Sequence, residues 1–474
     1  MLDDLSKLGA AGLSRLISKG SVSSREVVTV FLNRIEVHNP IHNAIVSLRN
    51  REDILQDADM ADQALACGGV AGPLHGLPIA IKDLNLTKGL RTTFGSPLYA
   101  DFVPDVDSLS VERLRKAGAI IIGKTNTPEF GLGSHTYNPV FGVTRNAFDP
   151  SRTAGGSSGG AAVAVALRMV PVADGSDFGG SLRNPAAYNN IYGFRPSQGR
   201  VPGWPAIDAF FSQLGTDGPI ARNVEDLAFL LDVQAGYDKR APLSLERPVS
   251  SYTASLEGGP SAMRIGWLSD LGGHLPFEPG ILDLCEAALK STAAIGCTVE
   301  PVTPCFDFET LWRAFVVLRQ FNMSARLKPL YDDPEKRPLL KPEARWEVEG
   351  FLGLKAAEIL AATQTRTAWY AAILNLFESY DFLAIPSAQV FPFEVEKHWP
   401  DSIDGKAMDS YHRWMEVVVL ATLSGCPVIN VPAGFEDGLP MGLQIIGRPR
   451  ADIDVLRLAK AYEANLPFEA GVSA

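Results

Sequence analysis

The sequence predicts an α/β protein, one large unit in which a mostly parallel β-sheet is covered by helices. Three observations carry this. Short apolar runs of strand length alternate with helix-length runs from residue 78 onward, as in consecutive βαβ units. The 474 residues are 46% hydrophobic and 20% charged, enough to bury a sizeable core. No repeat or low-complexity tract interrupts the chain, so a single unit fits better than the roughly three domains that length alone suggests.

The elements follow in order. Leu8 to Lys19 and Arg25 to His38 carry apolar residues at helical spacing, the second behind the cap candidates Ser23 and Ser24. Glu52 to Ala66 is a third helix, ended by the Gly/Pro segment 68–73. Pro78-Ile-Ala-Ile-Lys82 is a short strand, Ser108 to Ala117 a helix, and Ala119-Ile-Ile-Ile122 a buried strand. Ser158 to Leu167 is a helix and Val170-Pro-Val-Ala173 a strand. Residues 240–262 read as a surface linker. The pattern resumes at Arg264-Ile-Gly-Trp-Leu268, gives way to an aromatic-rich helical region at 307–380, and returns with strands at 382–386, 427–432 and 442–447. Asp452 to Ala464 closes as a helix.

Charge and cysteine usage exclude several functions. Lys and Arg number 43 against 54 Asp and Glu, a net −11. Sequence-independent nucleic-acid binding rests on Lys and Arg neutralising phosphates, and an acidic chain without a long basic run is a poor candidate for it, so no nucleic-acid partner is expected. Cys67, Cys285, Cys297, Cys305 and Cys426 form no CxxC pair, which points to reduced thiols and no zinc site. Met1-Leu-Asp-Asp is acidic where a signal peptide would be basic, and no apolar run is long enough to span a membrane. A cytoplasmic protein is expected.

Three motifs compete for the chemistry. Gly118-Ala-Ile-Ile-Ile-Gly123-Lys124-Thr125 matches the P-loop expression, but its centre has strand composition where a flexible loop is needed. Gly155-Gly-Ser157-Ser-Gly159 matches GxSxG, yet the loop containing Pro150 precedes it where a nucleophile elbow needs a strand. A tight glycine turn opening a packed helix fits equally well. The third, Asp174-Gly-Ser-Asp-Phe178-Gly179-Gly180-Ser181-Leu-Arg183, directly follows an apolar strand. Two glycines before a serine let backbone N–H groups converge beside a hydroxyl, as acyl transfer requires. That hydroxyl needs a base. The histidines at 38, 42, 75, 135, 274, 398 and 412 sit in no catalytic frame, with His75 and His135 the two retained as pocket candidates. Lys82 ends an apolar stretch in which desolvation would lower its pKa; a strand-end lysine reaching back to water fits the same residues.

Gly76-Leu-Pro-Ile-Ala-Ile-Lys82-Asp83, Gly123 to Gly131, Gly155-Gly-Ser-Ser-Gly-Gly160 and Gly175 to Arg183 together resemble, in order, the amidase signature family. Gly218-Pro-Ile-Ala-Arg222, Val224-Glu-Asp-Leu227 and Gly438 to Gly447 extend the resemblance over essentially the whole chain. It implies a single domain, 1–474, on a mixed, mostly parallel sheet. The signature core would span about 72–227, a linker and more variable helical pocket region 240–380, and a C-terminal return to the sheet 381–474. It implies Ser181 as nucleophile, Ser157 as a bridging serine after a cis peptide, and Lys82 as base. Backbone N–H groups of Phe178, Gly179, Gly180 and Ser181 would form the oxyanion hole, with Asp177, Arg183 and Ser158 supporting the site. The implied activity is serine amidohydrolysis through an acyl-enzyme, with no metal and no cofactor. The P-loop match becomes a core strand and the GxSxG match the bridging-serine loop.

The chain departs from the family at Phe178, where a small or β-branched residue is usual, so the pocket wall is expected to change. Gly193-Phe-Arg-Pro-Ser197 is a conservative form of another family run. The apolar segments 202–211 and 312–321 read either as an acyl or aryl pocket or as helix packing. The expected enzyme is a broad-specificity aryl or alkyl amidase with carbamate (urethane) and ester side activity. It would be a monomer or homodimer acting on small molecules, with no membrane partner. The alternative is the glutaminase component of a tRNA-dependent amidotransferase, which works bound to companions, although 300–345 offers no glutamine-recognition surroundings. Fifteen of the 43 glycines fall between Gly118 and Gly203, around these motifs.

Overall fold

Apolar and β-branched runs between turns become strands of two sheets, seen in a computed structural model that describes residues 5–70, 72–211, 213–258, 262–466 and 470–472. The acidic opening Met1–Asp4 and linker residues 259–261 lie outside the described residues. In the smaller sheet, β1 (Ile45–Val46) pairs antiparallel with β3 (Ile120–Thr125), and β3 pairs parallel with β2 (Pro78–Lys82). The larger sheet comprises β4 (Val172–Asp177), β5 (Tyr192–Arg195), β6 (Thr216–Ala221), β7 (Arg264–Trp267), β8 (Thr298–Pro301), β9 (Phe382–Pro386), β10 (Val428–Glu436) and β11 (Leu439–Gly447). Its order is β8-β7-β9-β11-β10-β5-β6-β4.

The sheet is mixed and helix-covered, as expected, but it is not mostly parallel. Only the β8–β7 and β7–β9 ladders run parallel. From β9 through β11, β10, β5 and β6 to β4 every neighbour is antiparallel. Parallel neighbours need a long crossover, whereas antiparallel ones can be joined by a tight turn. Asp437 (φ 49°) and Gly438 (φ 77°) supply such a turn between β10 and β11, the Asp-Gly pair favoured in hairpins. The first two strands that the sequence marks, at 78–82 and 119–122, form their own sheet instead of joining the larger one, the second running as Ile120–Thr125.

Helix ends follow their caps. Ser23 closes a capping box with Glu26 at the start of Ser24–His42, leaving fewer unsatisfied N–H groups there. The helical region resolves into Phe308–Asp332, Pro342–Gly353 and Ala356–Phe377, and Asp307 caps the first by accepting from the Thr310 N–H. Every residue of the Gly/Ala/Val helix Gly159–Ala166 is buried between the sheets. Among the described residues, no helix is long and apolar enough to cross a membrane.

Candidate active site

Lys82 is the last residue of β2 and is fully buried. Its backbone N–H donates to Asp174 Oδ1 (2.9 Å), which fixes the strand end against β4. Its Nζ stands 2.8 Å from Ser157 Oγ, 2.8 Å from Ser158 Oγ and 3.0 Å from Ser176 Oγ. Burial lowers the Lys82 pKa to about 7, while Asp217, Asp174 and Asp177 pull it upward. A buried ammonium without a salt bridge loses hydration, which makes the neutral amine accessible near neutral pH.

Ser157 follows a cis Gly156–Ser157 peptide and stands one residue before Ser158, the N-cap of the buried helix. Asn184 Oδ1 accepts from the Gly156 N–H (3.1 Å), and Thr136 Oγ1 donates to the Gly155 carbonyl (2.8 Å), so this turn is held from both sides. Just beyond it, only a glycine fits. A Cβ on Gly160 would lie 2.3 Å from the Asn126 nitrogen and 2.5 Å from the Ala44 oxygen.

The Ser181 loop hangs on one carboxylate. Asp177 Oδ1 accepts from the Gly180 N–H (2.9 Å) and Oδ2 from the Leu182 N–H (3.1 Å). Arg183 adds two bonds to the same carboxylate (3.0 Å each), and Arg195 a further one (3.1 Å). Burial pushes Asp177 up, but the two guanidiniums hold it well below the usual carboxylate range. Arg183 is anchored in turn by the Val418 carbonyl (2.8 Å), Gln444 Oε1 (2.6 Å) and Thr422 Oγ1 (2.8 Å). Gly180 has φ 94°, a left-handed value that suits glycine. Of the four N–H groups expected around an oxyanion, that of Gly180 is therefore already committed. Those of Phe178, Gly179 and Ser181 are not taken up within the loop.

Ser157, Ser176, Ser181, Phe178 and Asp217 line one cavity of about 260 Å³. Phe315, Arg319 and Met323, spaced four apart on one face of helix Phe308–Asp332, also line it, joined by Leu84, Phe130, Val201 and His412. The Phe178 and Phe315 rings lie 6.4 Å apart, and the Arg319 guanidinium sits 5.1 Å over Phe178. Arg319 is neutralised within the wall by Glu347 (2.6 Å) and bonds the Tyr411 hydroxyl (2.9 Å). The 312–321 segment thus contributes both to the cavity and to packing, since the buried Trp312 ring packs at a tilt against Phe315, 5.6 Å between centroids.

Two histidine expectations need correcting. His75 Nε2 lies by the Ala61 carbonyl and His135 is locked between Thr153 Oγ1 and the Val395 carbonyl; neither lines the cavity. His412 does, and nothing in its local sequence marked it. Lys124 of the P-loop match is buried in β3, with Nζ bound to the Asn85 carbonyl (2.6 Å) and Thr87 Oγ1 (2.8 Å), so it serves packing. Sequence reading also missed Arg195 and Asp217. The run Gly193 to Ser197 contains Arg195 but says nothing of its partner, and the place of Asp217 depends on strand register, which no local motif records.

Residues 26–456 match the family model described as Amidase. The chain belongs to the amidase signature family. It is a hydrolase of amide C–N bonds. This amidase is 34% identical to an acylamidase of Rhodococcus erythropolis, over 97% of the chain and 96% of that protein. It is also 34% identical to the A component of the glutamyl-tRNA(Gln) amidotransferase of Thermosynechococcus vestitus, over 96% and 97%. A solved bacterial aryl acylamidase of the amidase signature family superposes with a TM-score of 0.91 at 31% identity, covering 97% of this chain and 96% of that one.

Proposed function

We propose that this amidase hydrolyses aryl and alkyl amides with broad specificity, accepts carbamates and esters in addition, and works through an acyl-enzyme on Ser181. The observation that carries the chemistry is the buried Lys82 Nζ, 2.8 Å from the Oγ of Ser157, which lines the same cavity as Ser181. In the proposed relay neutral Lys82 takes a proton from Ser157, and Ser157 takes one from Ser181 as its oxygen attacks the carbonyl. The N–H groups of Phe178, Gly179 and Ser181 receive the oxyanion. Ser157 then protonates the leaving nitrogen, and Lys82 returns a proton to Ser157. Water enters by the same relay, and the acid departs. Ser158, 2.8 Å from Lys82 Nζ, helps hold the amine in place.

The substrate reading is supported by the walls. Phe130, Phe178, Phe315, Leu84, Val201 and Met323 are apolar, and the one guanidinium among them is compensated by Glu347. The identity to an amidotransferase component favours a second reading, a glutaminase working with partner proteins. We propose the free-standing enzyme, a single domain acting in the cytoplasm. A panel of p-nitroanilides, primary amides, aryl carbamates and glutamine tests both, with Ser181→Ala as control and a fluorophosphonate adduct mapped by mass spectrometry. Aryl amide turnover with the adduct on Ser181 is expected. An adduct on another residue, or full activity in Lys82→Ala, overturns the mechanism. Glutamine turnover with co-purification of a large partner overturns the substrate reading.

A further inference from the structure

Asp217 is a carboxyl inside the catalytic cavity for which the relay has no use. It sits on β6, directly opposite Ser176 of β4 in the antiparallel register. Directly opposed residues of an antiparallel ladder project on the same face, with Cβ atoms about 5 Å apart. Ser176 turns its Oγ to within 3.0 Å of Lys82 Nζ, so Asp217 shares the face that looks at the lysine. No arginine or lysine forms a salt bridge with it among the described residues. The cation acting on it is Lys82.

The surroundings of Lys82 make this asymmetry informative. From β4, Asp174 takes the Lys82 backbone N–H (2.9 Å) and the Asn85 side-chain amide (2.8 Å), while Asp177 is saturated by Arg183 and Arg195. From β3, Lys124 is turned away to Asn85 and Thr87. The bridging-serine loop offers only hydroxyls. Asp217 is thus the facing carboxyl left without a guanidinium or a backbone donor. Burial and the neighbouring Asp174 push Asp217 up to about 7, against the pull of Lys82 and the Asn85 amide. Its charge therefore responds to that of the lysine.

Resting on the Ser181–Ser157–Lys82 reading, we propose that Asp217 is a positioning residue for the base: its carboxylate stabilises the ammonium formed on Lys82 when the relay takes the Ser181 proton. Through the low-dielectric interior a charge one strand away still acts on Lys82 without touching it. The proton stays on Lys82 until it returns through Ser157 to the leaving nitrogen, and Asp217 exchanges none with the substrate.

The test uses the intact enzyme and no particular substrate. The rate of fluorophosphonate labelling of Ser181 is measured from about pH 5 to about pH 9, bracketing the lysine's expected titration near 7. Removing the negative charge disfavours the Lys82 ammonium, so in Asp217→Asn the acid limb of the profile moves to lower pH. A shift of about one pH unit is expected, with a lower plateau because the base is weaker. Asp217→Glu restores the wild-type limb, which a purely structural role would not do. If Asn does not yield folded protein, Asp217→Ser carries the same test. Ser181 labelled with an unmoved acid limb in the neutral variants overturns the proposal and leaves the relay standing. Wild type unlabelled at Ser181 overturns the relay itself.

Discussion

Two buried charge clusters meet at strand β4, and they are built in opposite ways. At its C-terminal end Asp177 is surrounded by two arginines and two backbone N–H groups, all within 3.1 Å. On the face carrying Asp174 and Ser176, Lys82 has hydroxyl neighbours and carboxyls that stop short of a salt bridge. A saturated cluster holds its charges far from titration and so behaves as structure. An unsaturated one is left near the pH at which protons move, which is what a base requires. The same strand therefore supplies a rigid clamp for the Ser181 loop and a soft environment for Lys82, the proposed proton acceptor.

Breaking the soft side gives the largest losses. Ser181→Ala is expected to lower kcat on the order of ten-thousandfold or more and to abolish fluorophosphonate labelling, with an unchanged Tm. Lys82→Ala is expected to cost about 10²–10⁴-fold in kcat/KM, read on the best p-nitroanilide of the panel. Because only neutral Lys82 accepts a proton, wild-type kcat/KM should rise with pH up to about 7 and flatten above it. A profile flat from about pH 5 upward would remove Lys82 from the relay.

Breaking the hard side is read as stability. Asp177→Asn leaves Arg183 and Arg195 buried with a carboxylate missing, and about 3–5 kcal/mol of destabilisation is expected in denaturant titrations. The sign with pH follows from the depressed carboxyl. Its contribution is complete above the unfolded-state value and is lost as pH falls toward the folded one. Stability should therefore fall less steeply below about pH 4 in Asp177→Asn than in the wild type. The smallest effect is expected at the pocket wall. Phe178→Thr should change the preference between aryl and small acyl substrates by about tenfold while leaving the Ser181 adduct intact.

How much of this was legible is seen best element by element. The strand ending in Lys82, the Gly155–Gly160 turn and the Gly179-Gly180-Ser181 loop each follow from a few neighbouring residues, and all three converge on one region. The hairpin of β10 and β11 carried its own signal in Asp437-Gly438, and that turn chemistry was the clue against a mostly parallel sheet. Phe315, Arg319 and Met323 were readable as one helix face, though not as a cavity wall. His412 and Asp217 left no local trace. The first is set by helix packing and the second by pairing between strands about forty residues apart.

The sequence alone determined the local chemistry: which serines and which lysine stand beside which glycines, and where strands, caps and turns begin. Backbone freedom and side-chain preference act over a few residues, so a linear reading captures them. Only the tertiary structure decided how basic Lys82 is, which N–H groups remain for an oxyanion, and which carboxyl faces the amine. Those properties come from desolvation and from charges brought together across long chain separations, such as Arg183 on Gln444 and Ser176 opposite Asp217. Electrostatic energy in a buried site depends on distance and burial, and neither quantity exists until the chain has folded.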